Sequence, residues 1–186
     1  MIRSIDTIVI GAGPAGLATS RALSRQQVPH VVLERGHQVG HTWANLYDSL
    51  VLHTARGLSS LPGLPFPRGT PRFPTRAHLL AYLERYAQTF SVPVEAGVNV
   101  SRVRPRNGDW IVDTGDGLAI LSRTLVIATG IVANPFVPAI PDRDRFRGRV
   151  MHSVEYRNPA GFRGLRVLIV GAGNSAGEIA SELAFA

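Results

Sequence analysis

The sequence contains no cysteine in its 186 residues. Disulfide bonds, thiolate metal sites and dithiol redox centres are therefore excluded from it, and nothing indicates an oxidising compartment. Long apolar runs are also missing, since no stretch approaches the ~20 residues that a membrane-spanning helix requires. Three glycines and a proline interrupt the apolar stretch near the amino terminus, which is unlike a signal peptide. We expect a cytoplasmic protein that has no membrane partner and no metal ligand.

Lysine is absent as well, so all 20 basic residues are arginines, and with 13 acidic residues the net charge is +7. Arginines that bind nucleic acid usually form one stripe with interleaved aromatic residues, whereas these are spread along the chain. We therefore expect no nucleic-acid partner. Hydrophobic residues make up 45% of the sequence and charged residues 18%, which supplies enough apolar side chains for a folded core. The length predicts one full domain and a remainder.

A glycine-rich turn stands between a predicted strand and a predicted helix near the start. Residues 5–10, IDTIVI, form the short β-branched run of a strand that is buried on both faces. GAGPAG follows with Gly11, Gly13 and Gly16, and a second buried strand ends at Glu34, about 20 residues further on. In this dinucleotide-binding fingerprint the glycines allow a tight turn, admit the pyrophosphate and let helix and strand pack, while the acid accepts hydrogen bonds from ribose hydroxyls. The helix amino terminus adds N–H donors for the phosphates.

The same pattern recurs near the end of the chain. Residues 165–170, LRVLIV, predict another buried strand, and GAGNSAGE follows with Gly171, Gly173 and Ala176, an accepted replacement for the third glycine. Two dinucleotide sites in one chain indicate hydride transfer between two cofactors. Because only one strand and one helix of the second unit fall within the sequence, we expect either a fragment or a unit completed by a second copy or another chain.

The residues between the two fingerprints predict a long insertion, a helix and a β-meander. The proline-rich residues 36–75 also carry aromatic side chains, so we expect a packed, functional loop. After a helix, three short antiparallel strands are predicted between residues 92 and 122, with Asn107-Gly108 and Asp116-Gly117 as turns. Residues 123–130 predict a return to a buried parallel strand. The fold class is α/β: a Rossmann-like domain with a parallel sheet plus an antiparallel β-meander, followed by the first strand and helix of a second Rossmann unit.

Four motifs in order resemble those of the flavin-containing monooxygenases, which are flavoproteins with two dinucleotide-binding domains. They are GAGPAG with its acid, ATG at residues 128–130, FRGRVMHSVEY at residues 146–156 and GAGNSAGE from residue 171. The third matches the family's identifying pattern, FxGxxxHxxxY. Tyr156-Arg157 stands where the Baeyer–Villiger branch has Trp-Pro, whereas GHTW at residues 40–43 is similar to the plant YUCCA members. The likeness covers nearly the whole chain.

This resemblance implies a monooxygenase that uses FAD and NADPH. NADPH would reduce FAD, the reduced flavin would form a C4a-hydroperoxide with dioxygen, and one oxygen atom would pass to a small organic substrate. Residues 1–150 would form the FAD-binding domain, with residues 36–75 as an irregular insertion. Residues 151–186 would be a linker and the start of the NADPH-binding domain.

The resemblance also implies which residues contact the cofactors, and it identifies no catalytic residue. NADPH, favoured over NADH by the resemblance alone, would contact Gly171, Gly173, Asn174, Ser175 and Ala176, while His152 and Tyr156 would link the two sites. FAD would contact Gly11, Gly13, Pro14, Ala15, Gly16, Glu34, Arg35, Thr42, Trp43, His53, Val100, Ala128, Thr129 and Gly130.

Two alternative functions stay open. An NAD(P)H-dependent flavoprotein reductase shares both fingerprints, but the disulfide-reducing kind is excluded because its dithiol would fall close to one of the fingerprints, where no cysteine occurs. A non-catalytic FAD-binding remnant or assembly subunit is the other alternative. For the 186-residue chain by itself we expect no NADPH-dependent oxygenase turnover, because the flavin could not be shielded from water.

Overall fold

A six-stranded mixed sheet organises the computed structural model, which describes residues 3–132 and 134–186. Its strands are β1 (Arg3–Ile10), β2 (His30–Glu34), β3 (Val94–Ala96), β4 (Val100–Arg106), β5 (Asp109–Thr114) and β6 (Ala119–Ile127), in the spatial order β3-β2-β1-β6-β5-β4. The pairs β3-β2, β2-β1 and β1-β6 are parallel, and β6-β5 and β5-β4 are antiparallel. The helices are α1 (Pro14–Arg25), α2 (His41–Ala44), α3 (Arg56–Ser59), α4 (Arg76–Thr89) and α5 (Asn174–Ala184). The predicted α/β fold class is confirmed.

The central strands β1 and β2 are buried on both faces because different elements cover each face, whereas the part of β6 that was predicted to be buried, from Arg123 onward, is half-buried or exposed. Successive strand residues point to opposite sides of a sheet, so Val9 and Ile8 enter different clusters. On one face Val9 and Val32 pack with side chains of α1 and α4. On the other face Ile8 packs with Val112 of the meander strand β5. Ile8, Val9, Val32 and Val112 are all fully buried, which confirms the predicted character of the first strand.

Strand β6 joins the meander to the parallel sheet. Two separate strands were predicted over residues 118–130, and this boundary is wrong, because Ala119–Ile127 is one strand. Its first residues pair antiparallel with β5, and from Ile120 onward it pairs parallel with β1. The first predicted meander strand is also wrong as a unit. Gly97, with φ +77°, separates β3, which pairs with β2, from β4, which pairs with β5.

Both predicted turns of the meander form. Asn107 (φ +50°) and Gly108 (φ +89°) connect β4 and β5, and two successive positive φ angles are the signature of a type I′ hairpin turn. Gly117 (φ +85°) closes the next turn, where its N–H donates to the Thr114 carbonyl oxygen at 3.0 Å. Both connections therefore agree with the turn signals in the local sequence.

Two tyrosines of α4 hold the proline-rich insertion, which is packed as expected. Phe66 stacks on the Tyr82 ring with centroids 3.9 Å apart. The Tyr82 hydroxyl donates to the Leu64 carbonyl oxygen at 2.7 Å and accepts from the Leu61 N–H at 2.6 Å. The Tyr86 hydroxyl donates to the Pro62 carbonyl oxygen at 2.8 Å. The irregular backbone thus finds hydrogen-bond partners on a buried helix face.

The described residues divide into two compact units, one of residues 3–44 and 51–132 and one of residues 45–50 and 134–186. The second unit contains three short 3-10 helices, Arg143–Arg145, Ser153–Glu155 and Pro159–Phe162, and the helix α5. The helix follows the second glycine motif as predicted. The assignment of residues 1–150 and 151–186 to an FAD-binding and an NADPH-binding domain stays a prediction.

The predicted strand over residues 165–170 is wrong. No strand forms there in the described residues, and Leu165, Leu168 and Val170 are 64%, 87% and 75% exposed. A parallel strand needs a neighbouring strand to pair its N–H and C=O groups, and none of the described strands pairs with this segment. No described helix is long and apolar enough to span a membrane.

We expect Tyr82→Phe to lower the free energy of unfolding by about 2 kcal/mol, because it removes two hydrogen bonds, from the half-buried Leu61 N–H and to the half-buried Leu64 carbonyl. Tyr86→Phe is the matched control. It removes a single hydrogen bond and should cost about 1 kcal/mol. Urea denaturation followed by circular dichroism measures both costs. Equal costs for the two variants would contradict this account of the insertion.

Candidate functional site

The first glycine motif forms a turn at the carboxyl end of β1 that only glycine can occupy at two positions. Gly11 has φ +106°, and a Cβ there would lie 2.5 Å from the Ala128 carbonyl oxygen. A Cβ at Gly16 would overlap the Gly11 carbonyl oxygen. The Gly11 N–H donates to the Leu33 carbonyl oxygen at 2.8 Å, and the Ala128 N–H donates to that of Ile10 at 2.9 Å. The turn is thus fixed between the carboxyl ends of β2 and β6.

The middle glycine of the motif faces open space. An added Cβ at Gly13 would meet no atom within 4 Å. Gly13 is the N-cap of α1, no side chain caps the helix, and its first turn contains no acidic residue. The first-turn N–H groups and the positive end of the helix dipole are therefore available to an anion. This is the geometry that a bound pyrophosphate requires.

Glu34 braces this turn from the end of β2. Its side chain is buried, and Oε2 accepts from the Ala12 N–H at 2.8 Å while Oε1 accepts from the Gly36 N–H at 2.9 Å. A carboxylate has about four acceptor positions. Each oxygen therefore retains acceptor capacity for a hydroxyl donor such as ribose. The sequence predicted a contact between Glu34 and ribose, but it did not predict the two hydrogen bonds that Glu34 accepts from the backbone.

The other residues predicted to bind FAD follow the same sheet edge, with two exceptions. The Gly40 N–H donates to the Ala12 carbonyl oxygen at 3.0 Å, so α2 begins beside the turn. That places Thr42 and Trp43 next to it, and Trp43 packs against the core cluster that contains Ala12. The residues brought together at this edge are Gly11, Gly13, Pro14, Ala15, Gly16, Glu34, Arg35, Thr42, Trp43, Ala128, Thr129 and Gly130.

Val100 and His53 are the two exceptions. Val100 starts β4, two residues beyond Val98, whose N–H donates to the Glu34 carbonyl oxygen at 2.9 Å. His53 is exposed and follows Leu52, whose N–H donates to the Pro74 carbonyl oxygen at 2.8 Å. Their contacts with FAD stay predictions.

A surface cleft of about 680 Å³ lies away from this edge, and its lining includes Asp6, Thr7, Val28 and Arg123. Thr7 pairs with His30, the first residue of β2, so the cleft lies towards the amino end of that strand. Ligands of open α/β sheets bind beyond the carboxyl ends of the strands. We therefore do not assign the cleft to a cofactor. The described residues also contain no cluster of metal-ligating side chains.

The second glycine motif repeats the backbone conformation of the first. Gly171 has φ +123°, comparable with Gly11. Gly173 is the N-cap of α5 with φ −79° and ψ 177°, against −83° and −174° for Gly13, and again no side chain caps the helix. An added Cβ at Gly173 would meet nothing within 4 Å. The predicted residues Gly171, Gly173, Asn174 and Ser175 are exposed and Ala176 is half-buried.

The two residues predicted to link the sites make contacts within the second unit. His152 begins a 3-10 helix, where its Nδ1 accepts from the Val154 N–H at 3.2 Å and its own N–H donates to Glu155 Oε1 at 2.7 Å. Tyr156 is buried, and its hydroxyl donates to Glu182 Oε2 of α5 at 2.8 Å. Burial, and then the Glu182 hydrogen bond, raise the pKa of Tyr156, so its hydroxyl keeps its proton. A role in linking the cofactors stays a prediction.

A second tyrosine of the same unit was missed by the sequence analysis. The Tyr47 hydroxyl donates to Glu178 Oε2 at 2.6 Å, across 131 residues of sequence. The Tyr47 and Tyr156 ring centroids are 6.3 Å apart. A contact at such separation leaves no local pattern, and the aromatic content of the insertion was the one available signal.

Comparisons with known proteins agree with this geometry. The indole-3-pyruvate monooxygenase YUCCA1 of Oryza sativa subsp. japonica is 38% identical over 95% of this chain and 44% of its own length. A flavin-containing monooxygenase from Stenotrophomonas maltophilia superposes with a TM-score of 0.94 at 35% identity, over 99% of this chain and 56% of that one. OTEMO in complex with FAD and NADP superposes with a TM-score of 0.81 at 26% identity, over 100% of this chain and 38% of that one.

These matches confirm the resemblance to the flavin-containing monooxygenases. The chain spans about half the length of the curated relatives that it matches, 44% in the case of rice YUCCA1. The sequence model of the pyridine nucleotide-disulphide oxidoreductases matches residues 8–186, which is nearly the whole sequence. The chain therefore belongs to the pyridine nucleotide-disulphide oxidoreductase family.

Proposed function

We propose that this chain is the part of a flavin-dependent monooxygenase that binds FAD and the pyrophosphate of NADPH. The observation that carries the proposal is the pair of glycine turns with matching backbone angles, each opening an uncapped helix amino terminus. One turn provides one pyrophosphate cradle, and hydride transfer between two dinucleotide cofactors requires two. The sequence similarity to flavin monooxygenases supports the oxygenase chemistry.

At the first turn, the chain's own groups bind and orient FAD. The first-turn N–H groups of α1 donate to the pyrophosphate, and the open space at Gly13 lets the phosphates approach the backbone. Glu34 accepts from the adenosine ribose while its two backbone bonds hold it in place. Trp43 and Thr129 border the same edge. Bound FAD would supply the redox chemistry, accepting a hydride and then activating dioxygen.

At the second turn, Gly171–Asn174 and the amino terminus of α5 provide the N–H donors for the NADPH pyrophosphate. The substrate class is a small organic molecule, and the name of the rice relative makes a 2-oxo acid such as indole-3-pyruvate the first compound to test. The chain contains no cysteine, so dithiol–disulfide exchange is not available to its residues.

Matched substitutions distinguish the proposed roles of the two turns in binding FAD and NADP⁺. Gly13→Val should still fold, because φ −83° suits valine and an added Cβ meets no atom within 4 Å, but it should purify without FAD. Gly173→Val should retain FAD and lose NADP⁺ binding. Flavin content is measured by absorbance and NADP⁺ affinity by titration calorimetry. Equal flavin content in wild type and Gly13→Val would contradict the FAD assignment.

Glu34→Ala should weaken FAD binding by about tenfold or more, because it removes an acceptor for the ribose hydroxyls. An FAD analogue with a 2′,3′-dideoxyadenosine group distinguishes ribose binding by Glu34 from its hydrogen bonds to the backbone. The wild type should bind the analogue more weakly than FAD, while Glu34→Ala should bind both equally. Glu84→Ala, an exposed glutamate on α4, is the control. The ribose assignment fails if the wild type does not distinguish the two flavins.

The 186-residue chain with FAD bound should show no NADPH consumption stimulated by indole-3-pyruvate. Leu168, Val170 and the Gly171–Asn174 turn are exposed, so water reaches the second turn, and oxygen transfer requires that water be excluded. NADPH oxidation and oxygenated product are measured together. Product formed in proportion to NADPH consumed would show that the described residues already form a shielded site.

A further inference from the structure

Among the described residues, no strand directly precedes helix α5. Residues 165–170 form no strand, and Ile179 is the one buried residue of α5. A helix amino terminus recognises a pyrophosphate only when the helix axis points at it. The contacts that α5 makes among the described residues therefore bear directly on where its amino terminus points.

Two tyrosine–glutamate hydrogen bonds provide such contacts. Tyr47 donates to Glu178 at 2.6 Å and Tyr156 donates to Glu182 at 2.8 Å. The two glutamates are four residues apart, so they lie one above the other on the same face of α5. Two attachment points one turn apart fix both the rotation of the helix and the direction of its axis. A single attachment would leave the axis free to pivot.

The placement of these glutamates is not explained by the helix itself. Glu182 lies in the last turn of α5, where the helix dipole disfavours negative charge. Glu178 and Glu182 also stand at the i,i+4 spacing at which like charges repel. Hydroxyl donors from two buried tyrosines compensate for both costs, since hydrogen bonds to a carboxylate are among the stronger ones.

The residues on either side of Tyr47 are hydrogen-bonded to the residues that follow Tyr156. The Asp48 N–H donates to the Arg157 carbonyl oxygen at 2.8 Å, and the Arg157 guanidinium donates to the Leu46 carbonyl oxygen at 2.9 Å. The Asn158 amide donates to Asp48 Oδ2 at 2.9 Å. These hydrogen bonds attach residues 45–50 to the segment that follows Tyr156. They therefore hold the two tyrosines close together.

We propose that Tyr47 and Tyr156 are positioning residues of the second dinucleotide site: by holding Glu178 and Glu182 they orient α5 so that the Gly171–Asn174 turn faces the NADPH pyrophosphate. This inference rests on the proposed function. It assigns a role to a segment, residues 45–50, that lies in sequence within the insertion after the first glycine motif.

The test uses the full chain with FAD bound and the variants Tyr47→Phe, Tyr156→Phe and the double variant. The double variant should raise the Kd for NADP⁺ by about tenfold and leave the Kd for FAD unchanged. Hydrogen exchange should accelerate at the amides of α5 and not at those of α1. Tyr86→Phe, which removes a tyrosine hydroxyl from the first unit, is the matched control for both measurements.

Conservative replacement of one acceptor separates positioning from simple loss of packing. Glu178→Gln keeps a side-chain oxygen that can accept from Tyr47, so it should bind NADP⁺ nearly as the wild type does, whereas Glu178→Leu should resemble Tyr47→Phe. Burial and the glutamate hydrogen bonds raise the pKa of both tyrosines. The affinity ratio of wild type to double variant should therefore stay constant between about pH 6 and 9.

Unchanged NADP⁺ affinity or unchanged exchange of α5 in the double variant overturns this inference while leaving the proposed function intact. A wild-type chain that binds FAD but not NADP⁺ overturns the NADPH part of the proposed function instead. The inference is supported by weakened NADP⁺ binding with normal FAD binding, together with rescue by Glu178→Gln.

Discussion

Contact between the backbone at Gly16 and the Gly11 carbonyl sets the geometry on which the first site depends. There is no room for a side chain at Gly16, because its Cβ would overlap the Gly11 carbonyl oxygen. The first turn of α1 can therefore pack closely against the end of β1. This close approach brings the Ala12 N–H within reach of Glu34 and aims the first turn of α1 outward at Gly13. The packing of α1 against β1, and with it the proposed orientation of the cofactor and the proposed role of Glu34, depend on this one steric constraint.

The two glycine turns separate what local sequence determines from what the surrounding fold must add. Gly13 and Gly173 have nearly the same backbone angles, although the first turn has three strands beside it and the second has none among the described residues. The backbone conformation that is proposed to recognise an anion is thus a local property that a short motif encodes. Shielding from water depends on burial by distant residues, and among the described residues nothing covers Leu168 and Val170.

Much of the first unit could be predicted from the sequence, because its signals are local. The fingerprint from Gly11 to Glu34, the Asn107-Gly108 turn and the packed insertion are all confirmed in their structure. The continuity of β6 could not be predicted, since Ser122, Arg123 and Thr124 interrupt its apolar pattern. Ser122 is nevertheless fully buried, and its hydroxyl donates to the Thr124 carbonyl oxygen at 2.7 Å.

In the second unit, the sequence predicted a strand that does not form and missed a contact that does. LRVLIV has the pattern of a buried strand, yet pattern alone cannot provide the neighbour that a strand needs. The bond from Tyr47 to Glu178 could not be found at all, because it joins residues that are 131 positions apart. Contacts of this kind are determined by the tertiary fold and leave no periodic signal.

The central claim is that this chain holds FAD at the Gly11–Gly16 turn, and the most direct measurement is the cofactor content of the purified chain after incubation with FAD. The account predicts the absorption spectrum of oxidised flavin and the release of about one FAD per chain on denaturation. A well-folded chain that is colourless once unbound FAD has been removed would contradict it.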